Sequence, residues 1–127
     1  MVCSFRHPQY CTQRLAVPTD SEWTILTDYL SGEKVAGGKL KEVGTTHWTS
    51  PNFGATNSSG FTALPGGLRF DRFNNAFANV GGSGHWWSKT EDGEDNALYR
   101  SFSCDDTNVS RGGIGKVFGL SVRCVQD

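Results

Sequence analysis

Six carboxylates crowd into one short stretch of this chain: Glu91, Asp92, Glu94, Asp95, Asp105 and Asp106. Acids in that number could hold calcium, a hard cation that wants several oxygens. Two of them could also serve as acid and base in glycoside hydrolysis, provided one has a raised pKa. They lie among loop-forming residues with no apolar surround to raise any pKa, so the spacing predicts a solvated acidic loop. Trp86-Trp87 could form a platform for stacking on a sugar. A core role for at least one of them, holding the sheet to Trp23, is the stronger expectation. His47 and His85 each precede a tryptophan and are bases in principle, but no nucleophile motif accompanies either. Cys3, Cys11, Cys104 and Cys124 show neither CxxC nor Cys/His zinc spacing, so no metal is expected. Their even count permits disulfides, with three pairings open.

The elements that must position these residues fit one domain, since 127 residues would leave two cores too small. A net charge of −1 argues against a nucleic-acid partner, which needs a basic face. No apolar run approaches the roughly 20 residues that span a bilayer. The start, MVCSFRHPQYC, shows no signal-peptide core, and residues 1–10 read as irregular.

Thr19 and Glu22 form a T-x-x-E capping box after Pro18, and Asp20 and Glu22 suit the positive end of a helix dipole. Trp23, Leu26 and Leu30 then fall on one stripe, with Ile25 and Tyr29 beside it. This predicts a helix over Asp20–Ser31, stopped by Gly32 as the left-handed C′ residue. EKVAGGKL, residues 33–40, predicts a second short helical turn limited by Gly37-Gly38. Residues 45–59 read as a long loop. Short strands are expected at 61–63 and 68–70 around the Pro65-Gly66-Gly67 turn. Further strands are expected at 81–89, 97–103 and 117–125, the last with Phe118, Leu120, Val122 and Cys124 on one face. Residues 105–115 read as loop, with at most a short strand near Val109. Arg100 and Tyr99 alternate to opposite faces.

Several blocks recur together in a known order: Cys11, then Val17-Pro18-Thr19-Asp20-Ser21-Glu22-Trp23, Val35 to Lys41, Gly60 to Gly67, Trp86-Trp87-Ser88 and Gly119 to Val125. In these the stretch from Cys11 to Asp127 resembles the Fibrobacter succinogenes major paralogous domain, a bacterial family with a C-type-lectin-like fold related to formylglycine-generating enzymes. The resemblance implies a Cys11–Cys124 disulfide, while Cys3 and Cys104 are not family positions. It also implies an extracellular, cell-surface or virion-associated location. Some lectin-like domains of this type are diversified by retroelements, over a segment that here runs from Lys89 to Lys116. The usual Glu-Pro-Asn and Trp-Asn-Asp sugar-and-calcium motifs are absent.

The expectation is therefore an α+β, C-type-lectin-like domain: one main helix and a short one packed on small antiparallel sheets, with a loop-rich C-terminal half. Its scaffold is expected from Trp23, Leu26, Leu30, Trp87, Phe102, Phe118, Leu120 and Val122. Its function would be binding of a protein or glycan on a cell or virus surface. The expected contact residues are Glu91, Glu94, Asp95, Tyr99, Ser101, Ser103, Asp105, Asp106, Ser110, Ile114 and Lys116, with Gly93, Cys104, Gly112 and Gly113 also arbitrary in type. Tyr99 is the expected aromatic anchor and Arg100 a weaker one. An unpaired Cys104 and an exposed Ile114 are read as marks of a randomised surface. No enzyme activity, cofactor or membrane insertion is expected. A structural module of a larger surface protein is the alternative, and a degenerate oxidase-like enzyme using Cys104 a third reading.

Overall fold

Helix α1 (Asp20–Tyr29) forms where capping and periodicity both require it. The computed structural model describes residues 2–4, 15–70 and 76–126. Thr19 Oγ1 accepts from the Glu22 N–H at 3.1 Å. Trp23, Thr27 and Leu30 turn inward, while Ile25 and Tyr29 are exposed. The helix ends sooner than expected. Ser31 N–H donates to Asp28 O and Gly32 N–H to Thr27 O, which is the Schellman pattern with Ser31 at C′. Ser31 therefore takes the left-handed conformation, φ +82°, in the place expected for Gly32. Glycine at that position avoids the Cβ penalty of the left-handed region, so Ser31→Gly should stabilise by about 0.5–1 kcal/mol. Thermal melting checks this; an unchanged or lower Tm would show that the lost Lys39 Nζ–Ser31 Oγ bond matters more than the backbone.

Helix α2 (Glu33–Leu40) runs straight through Gly37-Gly38. The reason is close approach. A Cβ on Gly37 would stand 2.4 Å from Asn108 O, and one on Gly38 2.4 Å from Gly54 O. The Gly37 N–H donates to Thr107 O, and Glu33 O accepts from the Val109 N–H. The glycines weaken the helix intrinsically but let two loops dock on its backbone.

The strands are β1 (Val2–Ser4), β2 (Leu15–Ala16), β3 (Leu68–Arg69), β4 (Phe77–Ala78), β5 (Ser83–Glu91), β6 (Asn96–Ser103), β7 (Ser110–Gly115), β8 (Gly119–Ser121) and β9 (Val125–Gln126). Seven of them make one sheet in the order β4-β3-β8-β5-β6-β7, with β1 also on β8; β2 and β9 form a separate pair. Several expectations need correction. The main sheet is mixed, because β8 lies parallel to β5 through Trp86 and Ser121. The expected final strand 117–125 is broken: β8 belongs to the large sheet and β9 pairs with β2. Residues 61–63 supply only a bridge between Ala63 and Lys41. Residues 110–115, read as loop, form a six-residue edge strand, and residues 2–4 of the segment read as irregular are paired on β8.

Each face of the sheet carries an apolar cluster. On one, Trp86 stacks on Phe102 with ring centroids 4.5 Å apart, inside a cluster with Trp23, Leu30, Leu40, Trp48 and Val109. On the other, Trp87, Ala97, Leu68 and Leu120 form a second cluster flanked by Phe70, Phe118 and Val122. Trp23 Nε1 donates to Trp87 O at 3.3 Å, joining helix to sheet as expected. Both tryptophans of the pair are buried, so neither serves as a sugar platform. Of the expected scaffold, Leu26, Phe118 and Val122 are only half-buried but pack against these clusters.

Candidate functional site

Antiparallel register decides what shares a face. Ser83 lies opposite Ser103, His85 opposite Ser101 and Trp87 opposite Tyr99. Tyr99 lies opposite Gly112 and Ser101 opposite Ser110. Paired residues project to the same side, so Ser83, His85, Tyr99, Ser101, Ser103, Ser110 and Gly112 form one outer face across three strands. Towards the hairpin, this face is closed by the second cluster over Trp87, Ala97 and Ile114. The rest is half-exposed or exposed.

Tyr99 is half-buried, with its ring packed against the second cluster. That ring lies over Gly112, where a Cβ would stand 3.0–3.1 Å from it. A side chain on β7 at this point would press on the ring, which crosses the strand. The His85 ring is 5.7 Å from that of Tyr99, and its Nε2 lies 3.0 Å from Ser83 Oγ. Burial holds the His85 pKa below its ordinary value, so the imidazole is neutral near pH 7. The face is thus uncharged, rich in hydroxyls and centred on an aromatic pair.

Other predicted contact residues do not join the open part of this face. Glu91, Glu94 and Asp95 crowd the β5–β6 hairpin, where Lys116 Nζ reaches Glu91 Oε1 and Glu94 O, each at 2.8 Å. Asp105 and Asp106 follow the far end of β6, roughly 25 Å away at the rise of an eight-residue strand. Among the described residues no three His, Cys, Asp or Glu side chains are placed to hold a metal. Ile114 is not free surface; it is half-buried against the second cluster. Cys104 is buried in the main core. Burial and the neighbouring Asp105 push its thiol pKa up, the opposite of what a reactive thiolate needs. Arg100 turns to the helix side and ion-pairs with Asp20. Of the expected disulfide partners, Cys11 lies outside the described residues.

Residues 9–126 match the model of the Fibrobacter succinogenes major domain. The chain belongs to that family. No curated protein and no solved structure matches it. In this member of the Fibrobacter succinogenes major domain family, the matched region contains both helices and every strand except β1. The outer face lies wholly within it.

Three functional features escaped the sequence reading. His85 and Ser83 stand before the 89–116 window, and only the β5–β6 register places them beside Tyr99 and Ser101. Asp20 read as a helix-dipole residue, yet it binds two arginines from β6 and β7. Lys41 entered only as the end of the Val35 to Lys41 block, with no role assigned, and its ammonium is buried among backbone carbonyls.

Proposed function

We propose that this domain is a C-type-lectin-like binding module that recognises a protein or glycan on a cell or virus surface through the outer face of β5, β6 and β7. One observation carries the reading: Tyr99, Ser101, Ser103 and Ser110, all from the 89–116 window, converge on the sheet face that the core leaves partly open. The opposite face is closed by helix α1 and the tryptophan cluster. A rigid sheet with a half-exposed aromatic ring and the Ser101 and Ser110 hydroxyls beside it suits recognition, since tyrosine recurs among binding hot spots at low entropy cost. Diversification of 89–116 by a retroelement extends the proposal. A reverse-transcriptase gene beside this one, with a template repeat matching the codons for Trp86 to Cys124, would support that extension, and its absence would leave a fixed surface.

The binding test uses a glycan array and whole bacterial cells as probes. Tyr99→Ala should weaken any capture by about 30-fold, near 2 kcal/mol. Because the ring also packs on the second cluster, this variant should lose some stability as well. Ser101→Arg is therefore the cleaner variant, as it blocks the face and leaves the core intact. Capture that survives Ser101→Arg would move the site elsewhere.

A further inference from the structure

The geometry points to a second recognition element: the outer edge of β7 accepts an extended peptide segment of a partner protein, added as a further strand across Arg111 and Gly113. Among the described residues β7 ends the sheet order, with β6 as its one neighbour. The Lys116 N–H donates to Asp95 O at 2.8 Å, and that pair continues the β6–β7 register, in which Gly115 faces Asn96 and Ile114 faces Ala97. Hydrogen-bonded pairs alternate along an antiparallel ladder. Even-numbered residues of β7 therefore turn their backbone groups to β6, and odd-numbered ones turn theirs outward.

The outward groups are taken at both ends of the strand and open between. The Val109 N–H is taken by Glu33 O at the start of α2, and Gly115 O accepts from the Phe118 N–H. Arg111 and Gly113 have no such backbone partner among the described residues. Exposed edges are usually blunted by proline, lysine or a bulge. Here Gly112 and Gly113 supply no side chain, and the Arg111 guanidinium is drawn to Asp20 at 3.0 Å. A hollow of about 370 Å³ lined by Lys34, Asn108 and Arg111 lies at one end. One of about 670 Å³ lies at the other, with Asp95, Asn96 and Lys116 on its polar side and Val117 and Phe118 on its apolar side.

These features select the occupant. A second copy of β7, paired about Gly112, would set Gly115 of each copy opposite Val109 of the other. The 115–118 turn of one would then meet the α2 start of the other. A flexible peptide fits between those shoulders. Main-chain bonds to Arg111 and Gly113 would hold it, with an apolar side chain for the Val117–Phe118 hollow and a polar one for the Lys34–Arg111 hollow.

The test compares Gly113→Pro with Gly113→Ala, using a phage-displayed library of random linear peptides selected on the wild-type chain. The Gly113 N–H points away from β6, so proline there removes the outward donor and leaves the ladder, and Gly112 has no Cβ to oppose the ring. Either substitution must displace the exposed Asp92 side chain, whose Oδ2 is 2.2 Å from a Cβ at Gly113, so alanine controls for that shift. Selected peptides should bind the wild type and Gly113→Ala alike, bind Gly113→Pro about tenfold more weakly, and slow amide exchange at Arg111 and Gly113. Equal binding to both variants, loss only in Ser101→Arg, or no enrichment would overturn the inference. So would a stable β7-to-β7 dimer by light scattering. Loss only in Ser101→Arg would leave the outer-face proposal standing.

Discussion

Replacing Asp20 with alanine is expected to destabilise the domain by about 3 kcal/mol, because it leaves a buried arginine without its counter-charge. The Arg100 side chain is 2% exposed and Asp20 18%. Arg100 also donates through Nη2 to Asp20 O and Thr24 Oγ1. These neutral acceptors remain in the variant, which sets the expected loss at the low end for a broken buried pair. For a domain of this size the Tm should fall by roughly 12 °C. Arg111 shares the same carboxylate, but its side chain is 48% exposed, so Arg111→Ala should cost under about 1 kcal/mol. The decisive comparison is a second substitution. Arg100→Met in the Asp20→Ala background should recover stability, since it removes the orphaned charge and leaves an apolar stem against the core. A double variant no more stable than Asp20→Ala would show that the ion pair is not the origin of the loss.

The same pair gives a pH dependence with a fixed sign. Hydrogen bonding to Arg111, opposed by burial and reinforced by Arg100, holds the Asp20 carboxyl below its ordinary 3.8. A carboxylate whose pKa is depressed on folding stabilises fully above the unfolded value and loses that contribution as pH falls through the folded one. The wild type should therefore lose stability below about pH 4 more steeply than Asp20→Ala. Parallel acid-unfolding curves for the two would contradict the assignment.

This ion pair also shows where sequence reading stops. Asp20 and Arg100 are 80 residues apart, and nothing local in either segment names the other. Helix α1 was legible because its signals are local: a threonine cap, an acidic first turn and a 3.6-residue stripe. Its last residues were misplaced because Ser31, not glycine, takes the left-handed turn. β6 was legible by alternation, and with it the shared face of Tyr99, Ser101 and Ser103. β7 was not, since Ser-Arg-Gly-Gly-Ile-Gly carries no strand propensity. Its glycines answer to tertiary neighbours instead, the Tyr99 ring at Gly112 and Asp92 at Gly113. His85 joined the outer face only once the register was known, because period-two alternation says which residues share a strand face but not which strand lies next to it.

The second large effect is expected at Lys41. Its side chain is fully buried, and its Nζ donates to Phe53 O at 2.9 Å, Ser103 O at 2.8 Å and Asp106 O at 2.7 Å. One ammonium thus ties the end of α2 to the 53 loop and to both ends of the turn after β6. Among the described residues no carboxylate bonds to it directly; burial lowers its pKa, while Asp106, Cys104 and Asp105 act in the other direction. Lys41→Met keeps the stem beside Trp48 but removes all three donors. Each buried carbonyl left without a partner costs about 1–3 kcal/mol, so a total near 4 kcal/mol is expected after partial rehydration. Lys41→Arg should not rescue it, because a planar guanidinium cannot replace a compact tripod of donors in a space packed for lysine. The loss should be local before it is global. The Gly37 N–H to Thr107 O and Val109 N–H to Glu33 O bonds depend on the 103–109 segment staying in place. Amide exchange at Gly37 and Val109 should therefore quicken in Lys41→Met at temperatures where Trp23 Nε1 remains protected. Uniform quickening at all three would mean that Lys41 holds the whole core rather than this one junction.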